Sequence, residues 1–574
     1  MNIFDRQSEG LLFQLQHIAH LGGLTESERF AHADTESVAL MLEQAARFAQ
    51  EHLVPLAEQG DLQGCRLENG RVLLPGNTRE VWQQWCELGF PALSLPMEVD
   101  GLGFPRCVQS AVQELSDGAN LAFGMLTITM RCATLALAQH HSSEEIQALL
   151  PGLASGALAS TIAISEAQAG SDVGRILTSA TQADDGSWRL TGSKLWISYA
   201  DHDATDDTIH LVLARVPNGE IGTRGLGLFL VPGMKGADGL QTNGISILRL
   251  EHKMGLHASP TCVMELQDSR GTLIGEPGRG LQALFAMMNP MRLAVAAQGA
   301  AVANSAALHA LQYALDRPQG GHPLQPPRPI AEHPDVQRML LEMFAQAELA
   351  RAMSLRTAAM LDRAEALEGE PDAAQWQALG ELLLPIAKTR NAEIGFQVAS
   401  QGIQVLGGYG YTADYPLERM ARDVRIASIY EGTSGIQALD FLKRKVGGDQ
   451  GACLLQLLER ITRETEGQQS AFSASLPSLC QLLKDALAAL LQDELPAGHA
   501  EAGAYAFLQL SGLLIDAWNG HSLCCAASGT TAYEKRLLAA LEHRAAALEE
   551  EARLWHRRTL QGLPEYRFAA DDSH

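Results

Sequence analysis

The chain has 574 residues, more than a single hydrophobic core normally serves, so we expect several domains. Hydrophobic residues make up 46% and charged residues 19% of the sequence, a balance that argues against extended disorder. The formal net charge of −24 disfavours general binding to nucleic acid or anionic membranes, because like charges repel.

The first residues of the chain and its cysteines both indicate the cellular compartment in which the protein is expected. The first residues include Asp5 and Glu9 and lack a basic region leading into an apolar core, which predicts neither a secretory signal nor a transit peptide. The nine cysteines show no Cys-x-x-Cys spacing and lie mostly in apolar stretches, as reduced and buried thiols do. A soluble protein with a cytoplasmic location is expected.

Residues 1–158 are predicted to form an N-terminal helical domain that includes an extension over 1–35. From residue 36 onward, apolar positions recur at three-to-four spacing, which is typical of amphipathic helices. The Gly- and Pro-bearing segment 89–105 interrupts this pattern and is predicted to be a loop.

A β domain and two further helical regions follow. Residues 159–275 contain short β-branched runs separated by Gly, Asp, Asn and Pro, which predicts a compact β domain. Helical periodicity returns over 276–446 and again over 447–574, where the apolar stretch 504–518 predicts a buried helix, too polar to be a transmembrane segment. Because the strands cluster instead of alternating with helices, the fold class is α+β, mainly α, without a doubly wound sheet.

Three segments carry candidate chemistry, and the first two lie in the β domain. Segment 165–172, SEAQAGSD, has small residues and hydroxyls that let backbone amides approach a flavin or a phosphate; a simple polar turn is an equally good interpretation. Segment 192–198, GSKLWIS, puts Trp196 and Ser198 on one face of a strand, where they could meet a planar ligand. By itself, a half-buried Trp in a β core is the more common case.

The third segment, 401–437, is the densest. Its glycines allow close backbone approach, and its arginines concentrate positive charge in an acidic chain. Glu418 and Asp423 could instead pair with some of these arginines on a helix surface. The glycines are Gly407, Gly408 and Gly410, and the arginines are Arg419, Arg422 and Arg425.

The order of these motifs resembles the acyl-CoA dehydrogenase family. SEAQAGSD, GSKLWIS, QVLGGYGY, ERMARDVR and IYEGTSGIQ occur in the family's order, and the resemblance extends over residues 40–445. The segments GFPALSLPMEVDGLGFP and MMNPMRLAVAAQG, with the extra C-terminal region, resemble the 3-methylmercaptopropionyl-CoA dehydrogenase-like subgroup. The resemblance implies an N-terminal helical domain, a β-barrel-like middle domain, a C-terminal four-helix bundle and an additional helical domain.

The resemblance also implies a reaction. The family oxidises an acyl-CoA thioester to its trans-2-enoyl form in fatty acid β-oxidation, and Glu431 would be the base that removes the α-proton. Such a base should be desolvated, and the thioester oxygen needs hydrogen-bond donors; the backbone N–H of Glu431 would be one of them. Spacing alone would make Glu431 a helix cap or a solvated acid, and the surrounding motif reverses that preference.

FAD is the implied cofactor, and no metal is expected. The predicted cofactor contacts are Ile162, Ile164, Ser171, Trp196, Ile197, Ser198, Arg317, Gln404, Gly407, Gly408, Gly432, Thr433 and Ser434. The predicted substrate contacts are Ser171, Arg292, Glu431 and Gly432. Arg317, Gln404, Gly407 and Gly408 resemble residues that reach the FAD of a neighbouring subunit, so a homodimer is expected.

Several functions compete at this level. The leading hypothesis is a dehydrogenase that passes electrons to electron-transferring flavoprotein; an acyl-CoA oxidase shares the base and the fold. A nitroalkane oxidase would use aspartate as its base, which Glu431 contradicts. A DNA-associated alkylation-response relative would carry a basic C-terminal domain, whereas residues 450–574 are acidic to neutral. Acyl-chain length, including a methylthio-acyl substrate, cannot be read from the sequence.

Overall fold

The computed structural model describes residues 2–139, 143–233, 243–492 and 494–563. Its first part is mainly helical, and strands begin only near residue 158, apart from one small hairpin. The elements of this part are α1 (Ile3–His17), α2 (Leu21–Thr25), α3 (Thr35–Phe48), α4 (Val54–Gln63), β1 (Arg66–Glu68), β2 (Arg71–Leu73), α5 (Thr78–Glu87), α6 (Arg106–Ala119), α7 (Leu121–Ala138) and α8 (Glu144–Ala154).

The β1–β2 hairpin differs from the helical prediction for this region. Its two strands pair antiparallel around Asn69 and Gly70, both of which have positive φ angles of 52° and 77°. Asn-Gly favours the tight hairpin turn that requires this backbone, so the sequence did contain the signal. Val72 at the centre of β2 is fully buried against the core of the β domain, which explains why the strand forms here.

The middle part forms a closed sheet. β6 pairs in parallel with β3 and antiparallel with β7, and the pairing path β6–β4–β5–β9–β7 returns to β6. Closure removes the free edges that an open sheet would expose. The strands are β3 (Leu158–Ala163), β4 (Ser179–Gln182), β5 (Trp188–Ser198), β6 (Asp207–Arg215), β7 (Leu226–Val231), β8 (Ile245–Leu250) and β9 (Thr261–Ile274).

Long helices follow the sheet. Helices α9 and α11 pack closely, because a Cβ added at Gly299 would lie 2.0 Å from the carbonyl oxygen of Asn391, so only glycine fits. The helices are α9 (Gly280–Asp316), α10 (Pro334–Ala366), α11 (Ala373–Leu406), α12 (Leu417–Val424) and α13 (Ser434–Asp440).

The last described helices pack onto α10, α11 and α13. They are α14 (Ala452–Thr465), α15 (Ser475–Leu490), α16 (His499–Ala526) and α17 (Ala532–Leu560). The stretch 504–518 lies in α16 and is almost entirely buried, which confirms the predicted buried helix. Arg390 of α11 forms a buried ion pair with Asp516 of α16 at 2.5 Å.

Short helical turns connect these elements. The predicted loop 89–105 contains two of them, so it is more ordered than its composition indicated. The 3-10 turns are Glu28–Phe30, Phe90–Ala92, Met97–Val99, Val173–Arg175, Gly222–Gly225, Ile330–Glu332, Gly407–Tyr411, Arg425–Ser428 and Gly447–Asp449, and the π-helical turns are Ala49–Leu53 and Phe441–Val446.

The N-terminal extension is part of the core. Phe4, Leu11 and Leu15 of α1 are at most 1% exposed. Gln14 of α1 donates to a carboxylate oxygen of Glu348 on α10 at 2.8 Å, and the hydroxyl of Tyr533 on α17 donates to the same oxygen at 2.9 Å. The first and last described helices therefore meet on α10.

Helix α7 is the only one in the described ranges that is long and apolar enough to cross a membrane. However, 89% of this window is buried inside the protein, as in an ordinary core helix.

Candidate active site

Glu431 lies in a tight turn between the 3-10 turn Arg425–Ser428 and α13. Glu431 and Gly432 have positive φ angles of 52° and 88°, a backbone that is strained for glutamate and natural for glycine. Two side chains hold this turn: Gln437 donates to the carbonyl oxygen of Glu431 at 2.8 Å, and Lys388 donates to that of Gly432 at 2.6 Å. The strain is thus supported by hydrogen bonds from α13 and α11.

Burial controls the protonation of Glu431. Removal from water raises the pKa of its carboxyl above the ordinary value, while the positive charges of Lys388 and Arg292 act in the opposite direction. Burial also lowers the pKa of Lys388 to about 8, although Glu431 opposes that shift. A carboxylate with a raised pKa close to a cation has the properties of a general base.

The backbone N–H of Glu431 is available to a ligand. Neither a backbone nor a side-chain acceptor for it exists within the described part of the chain. A free donor beside a buried carboxylate is suited to a carbonyl oxygen on which negative charge develops.

Tyr430 and α7 form one wall of this region. The Tyr430 hydroxyl donates to the side-chain oxygen of Gln298 on α9 and lies 3.6 Å from the sulfur of Met125 on α7. Burial raises the pKa of the Cys132 thiol on α7 to about 12, and the charge of Glu431 contributes to this shift. The turn that carries Glu431 therefore faces α7 and α9.

An ion pair ties the two motifs of the β domain together. Lys194 of GSKLWIS lies 2.8 Å from the carboxylate of Glu166 of SEAQAGSD, and both side chains are buried. Glu166 also accepts hydrogen bonds from the backbone N–H groups of Leu177 and Thr178, at 2.7 and 3.1 Å. The pairing was not predicted from the sequence, although the one cation of GSKLWIS and an acidic residue of SEAQAGSD were its signal.

A β-bulge changes the predicted geometry around Trp196. The register of β5 against β9 shifts between Lys194 and Ile197, and Trp196 has a φ of 62°. The strict alternation that would place Trp196 and Ser198 on one face is thus interrupted. The bulge turns the Ile197 side chain into the β core, where the residue is 2% exposed, so only its backbone remains for the predicted cofactor contact.

The surface around this bulge fits a planar ligand. The Trp196 side chain is 57% exposed, which is unusual for so large an apolar group. The hydroxyls of Ser171 and Ser198 make no hydrogen bond to any part of the chain that the structure describes. A Cβ added at Gly170 would meet nothing within 4 Å, so the SEAQAGSD loop borders open space. Exposed indole, free hydroxyls and open space together fit a flavin.

Two further predicted cofactor residues lie beside that surface. Ile162 is on β3 and Ile164 follows it, and both are half-buried against the helical core. Ile162 pairs with Leu211 of β6, and Ile164 leads directly into the SEAQAGSD loop, so their flavin contacts stay predictions.

A second group of predicted residues lies in a separate cavity of about 480 Å³. Its lining includes Arg317, Gly407 and Gly408, and the Arg317 guanidinium stands 5.7 Å from the ring centre of Tyr409. Gln404 is exposed one turn earlier on α11, where its carbonyl accepts from the N–H of Gly407. The cavity lining contains no residue of the Glu431 turn or of the bulge.

Arg292 is held in a buried ion pair. Its side chain is 6% exposed and lies 2.7 Å from the carboxylate of Asp440. The Nε of the same guanidinium has no hydrogen-bond partner in the described part of the chain, and its charge acts on Glu431. The substrate contact of Arg292 stays a prediction.

The hydroxyls after Glu431 also have partners within the protein. Thr433 accepts a hydrogen bond from the N–H of Ile436 and so caps α13, and the Ser434 hydroxyl donates to Glu393 at 2.7 Å. Ser434 thus uses its hydroxyl proton within the protein, whereas the exposed Thr433 hydroxyl only accepts and keeps its proton for a ligand. The flavin contacts of these two residues stay predictions. Glu393 and Lys388, both on α11, were missed because nothing in their local sequence marks them.

Of the three motif arginines, one is explained by surface pairing. Arg422 contacts Glu418 at 2.7 Å and Asp61 at 2.6 Å, so the alternative interpretation holds for it. No group of three or more His, Cys, Asp or Glu side chains in the described ranges is arranged to hold a metal ion.

Comparison with known proteins identifies the family. Family models for the N-terminal, middle and C-terminal domains of acyl-CoA dehydrogenase match residues 35–157, 161–269 and 278–446. The chain belongs to the acyl-CoA dehydrogenase family. It is 38% identical over 524 residues to 3-methylmercaptopropionyl-CoA dehydrogenase of Ruegeria pomeroyi, a match that covers 88% of each chain. The predicted family and subgroup are thereby confirmed.

Solved structures share the complete architecture of this acyl-CoA dehydrogenase. Caenorhabditis elegans ACDH-11 in complex with C11-CoA has a TM-score of 0.78 at 22% identity and covers 89% of this chain and 87% of its own. Acyl-CoA dehydrogenase complexed with FAD from Bacillus anthracis has a TM-score of 0.74 at 21% identity and covers 93% and 89%. These likenesses confirm the predicted mainly α fold.

Proposed function

We propose that this acyl-CoA dehydrogenase uses Glu431 to remove the α-proton of an acyl-CoA thioester, giving the trans-2-enoyl-CoA. The observation that carries the proposal is the buried carboxylate with a raised pKa next to a free backbone N–H in the same turn. FAD is the cofactor, as the family assignment requires. It is held by the exposed face of Trp196 and the free hydroxyls of Ser171 and Ser198.

The residues divide the reaction between them. The Glu431 carboxylate takes the proton from the α-carbon, and the electron pair of that bond forms the α,β double bond. Bound FAD supplies the acceptor for the hydride that leaves the β-carbon. The backbone N–H of Glu431 donates to the thioester oxygen while enolate charge develops there, which lowers the barrier to proton removal. Lys388 and Gln437 keep the turn in the conformation that exposes both groups.

The electron acceptor and the cell location extend this proposal. Electrons pass to electron-transferring flavoprotein, and the protein works in the cytoplasm as a homodimer; the motif resemblance and the cysteine pattern support these statements. The proposal does not specify the acyl group of the substrate. Because of the similarity to the Ruegeria protein, 3-methylmercaptopropionyl-CoA is the first substrate to test. A chain-length series with a flavoprotein-linked dye tests substrate and reaction class together. Stoichiometric oxygen consumption during turnover would instead indicate an oxidase.

Replacement of the base is the decisive experiment. Glu431→Gln should retain FAD, because the carboxylate is not used to hold it, and should lower kcat by about 10²- to 10⁴-fold or more. Flavin absorbance and stopped-flow reduction by substrate measure the two properties. Glu459→Gln, at an exposed position on α14, is the matched control and should behave as the unmodified enzyme. Flavin reduction at the normal rate in Glu431→Gln would refute the assignment of the base.

A further inference from the structure

A second cavity lies away from Glu431, where the N-terminal segment, the long helices and the additional helices meet. Its lining includes Arg356 and Arg363 of α10, Trp376 of α11, Arg460 of α14 and Trp518 of α16. Three guanidinium groups from two regions of the chain thus converge on one small space. The proposed dehydrogenation uses none of them.

The positive charge in this cavity is only partly neutralised. Glu464 is the one carboxylate in the lining, and it pairs with Arg460 at 2.8 Å. Three guanidiniums against one carboxylate leave an excess of two positive charges in a chain whose net charge is −24. Like charges held together away from water repel strongly unless an anion joins them.

The hydrogen-bond donors of these arginines are also incompletely used. Arg356 is 6% exposed and donates to two neutral oxygens, the side-chain carbonyl of Asn519 at 2.6 Å and the hydroxyl of Ser522 at 3.0 Å. Its third nitrogen, Nη1, and the whole Arg363 guanidinium have no acceptor in the described ranges of the chain. Donors without acceptors therefore border the cavity.

The two indoles compensate part of the charge. Arg356 stands 3.7 Å from the centre of a Trp518 ring, and Arg460 and Arg363 stand 3.9 and 4.7 Å from that of Trp376. An aromatic ring attracts a cation through its quadrupole but offers no lone pairs to N–H donors. Because guanidiniums already cover these rings, no indole is left for a nucleotide base to stack on.

The charges also act on one another. Burial lowers the pKa of Arg356 to about 9; Glu464 opposes this shift, and Arg363 and Arg460 add to it. Partial burial of the imidazole, followed by the charges of Arg363 and Arg356, lowers the pKa of His20, so the imidazole is neutral at pH 7. His20 and Glu464 are exposed, and the cavity opens to solvent at these two residues.

We propose that this cavity is a binding site for a small oxyanion, with inorganic phosphate as its ligand. A guanidinium fork matches the oxygens of phosphate and forms charge-assisted hydrogen bonds with them. Phosphate would accept from the free nitrogens of Arg356 and Arg363 and would offset the excess positive charge. The site joins α10 to α14 and α16, so its occupancy stabilises the contact between the catalytic part and the additional helices.

The test measures phosphate binding to the FAD-loaded enzyme at constant ionic strength, with chloride as the balancing anion. Titration calorimetry gives affinity and stoichiometry, and the midpoint of thermal unfolding gives the linked stabilisation. The variants are Arg363→Gln and Arg460→Gln. The matched control is Arg463→Gln, which removes an exposed arginine from α14, one turn after Arg460.

We expect one phosphate per chain in the unmodified enzyme and in Arg463→Gln, and at least tenfold weaker binding in the other two variants. Without phosphate, the unfolding midpoint of Arg363→Gln should not fall, because a repelling charge has been removed. The proposal would be overturned if phosphate did not bind saturably, or if it bound Arg363→Gln as tightly as the unmodified enzyme. Either result would mean that the indoles alone compensate the positive charge of these arginines. Binding of AMP as tight as that of phosphate would overturn the assignment to a small inorganic anion.

Discussion

Lys388 is the residue that most directly tunes the base. It reaches the Glu431 turn from α11, donates to the carbonyl oxygen of Gly432 at 2.6 Å, and lowers the pKa of Glu431 by its charge. Its own pKa of about 8 leaves it mostly protonated at pH 7. A buried lysine next to a catalytic carboxylate is therefore both a structural support and an electrostatic one.

Loss of this charge should change the pH dependence of the reaction. In Lys388→Met the pKa of Glu431 rises further, because burial remains and one opposing charge is gone. The base works only when deprotonated, so the acid limb of kcat should move to higher pH. A pH profile of flavin reduction with saturating substrate measures this shift.

Two further variants separate charge from position. Lys388→Arg keeps the charge and should leave the acid limb near its original pH even if the rate falls. Lys484→Met, which removes an exposed lysine from α15, should leave the whole profile unchanged. An unmoved acid limb in Lys388→Met would show that this lysine does not act on the base.

Lys194 and Glu166 are a second pair with a testable role. Burial lowers the pKa of Lys194 to about 8, although the charge of Glu166 acts in the opposite direction. Burial would raise the pKa of Glu166, but the charge of Lys194 outweighs this effect and holds that pKa below its ordinary value. Lys194→Met should cost about 3–5 kcal/mol in the free energy of unfolding, because it leaves a buried carboxylate without its cation. Chemical denaturation with flavin fluorescence measures both stability and FAD release.

The double variant Lys194→Met with Glu166→Gln provides the control. It removes the buried charge together with its partner, so it should recover part of the lost stability. If the double variant lost more free energy of unfolding than the two single variants lose together, the pair would not behave as a compensated ion pair.

At the scale of whole elements, the additional helices reach the catalytic turn through Glu393 of α11. One carboxylate oxygen accepts from Ser434 at 2.7 Å, and the other accepts from Tyr505 and Gln509 of α16, both at 2.9 Å. Helix α13, which starts at Ser434, also packs against α16. The extra region is thus connected to the residue three positions after Glu431.

This connection predicts a kinetic effect from a remote hydroxyl. Tyr505→Phe should keep the ring packing but remove a hydrogen bond to a carboxylate, worth about 1.5–3 kcal/mol. Part of that energy should appear as a lower rate of flavin reduction, and the change should be non-additive with Ser434→Ala. Ser478→Ala removes a similar hydroxyl-to-carboxylate bond, to Glu549, outside this network and serves as the control. Strict additivity would argue against coupling between α16 and the turn.

At the scale of the whole molecule, the predicted FAD contacts fall into two groups. Trp196 and the serines border the bulge, while Arg317, Gly407 and Gly408 line a cavity that includes none of the residues near Glu431. In the proposed homodimer, an FAD that uses both groups would receive the first group from one subunit and the second from its partner.

The separation predicts that FAD binding and assembly are linked. Arg317→Gln should both weaken FAD binding and increase the fraction of monomer, because the cofactor would bridge the subunits. Light scattering after gel filtration, with flavin absorbance recorded on each peak, measures both. Arg328→Gln, in the exposed Pro-rich loop nearby, is the control. A monomer that carries a full complement of flavin would contradict the shared site.

The sequence by itself determined the family, the order of helical and β regions, and the motif that carries the proposed base. These follow from local periodicity and from contiguous motifs, in which Glu431 and its neighbours are adjacent in the chain. It also contained the signal for the β1–β2 hairpin in Asn69 and Gly70.

Only the tertiary structure decided which groups act on the base. Lys388, Glu393 and Arg292 come from helices distant in sequence, and their pKa effects depend on burial and separation, which no motif encodes. The bulge that exposes Trp196 and buries Ile197 depends in the same way on pairing with β9. Long-range packing sets these distances, and so it sets the chemistry.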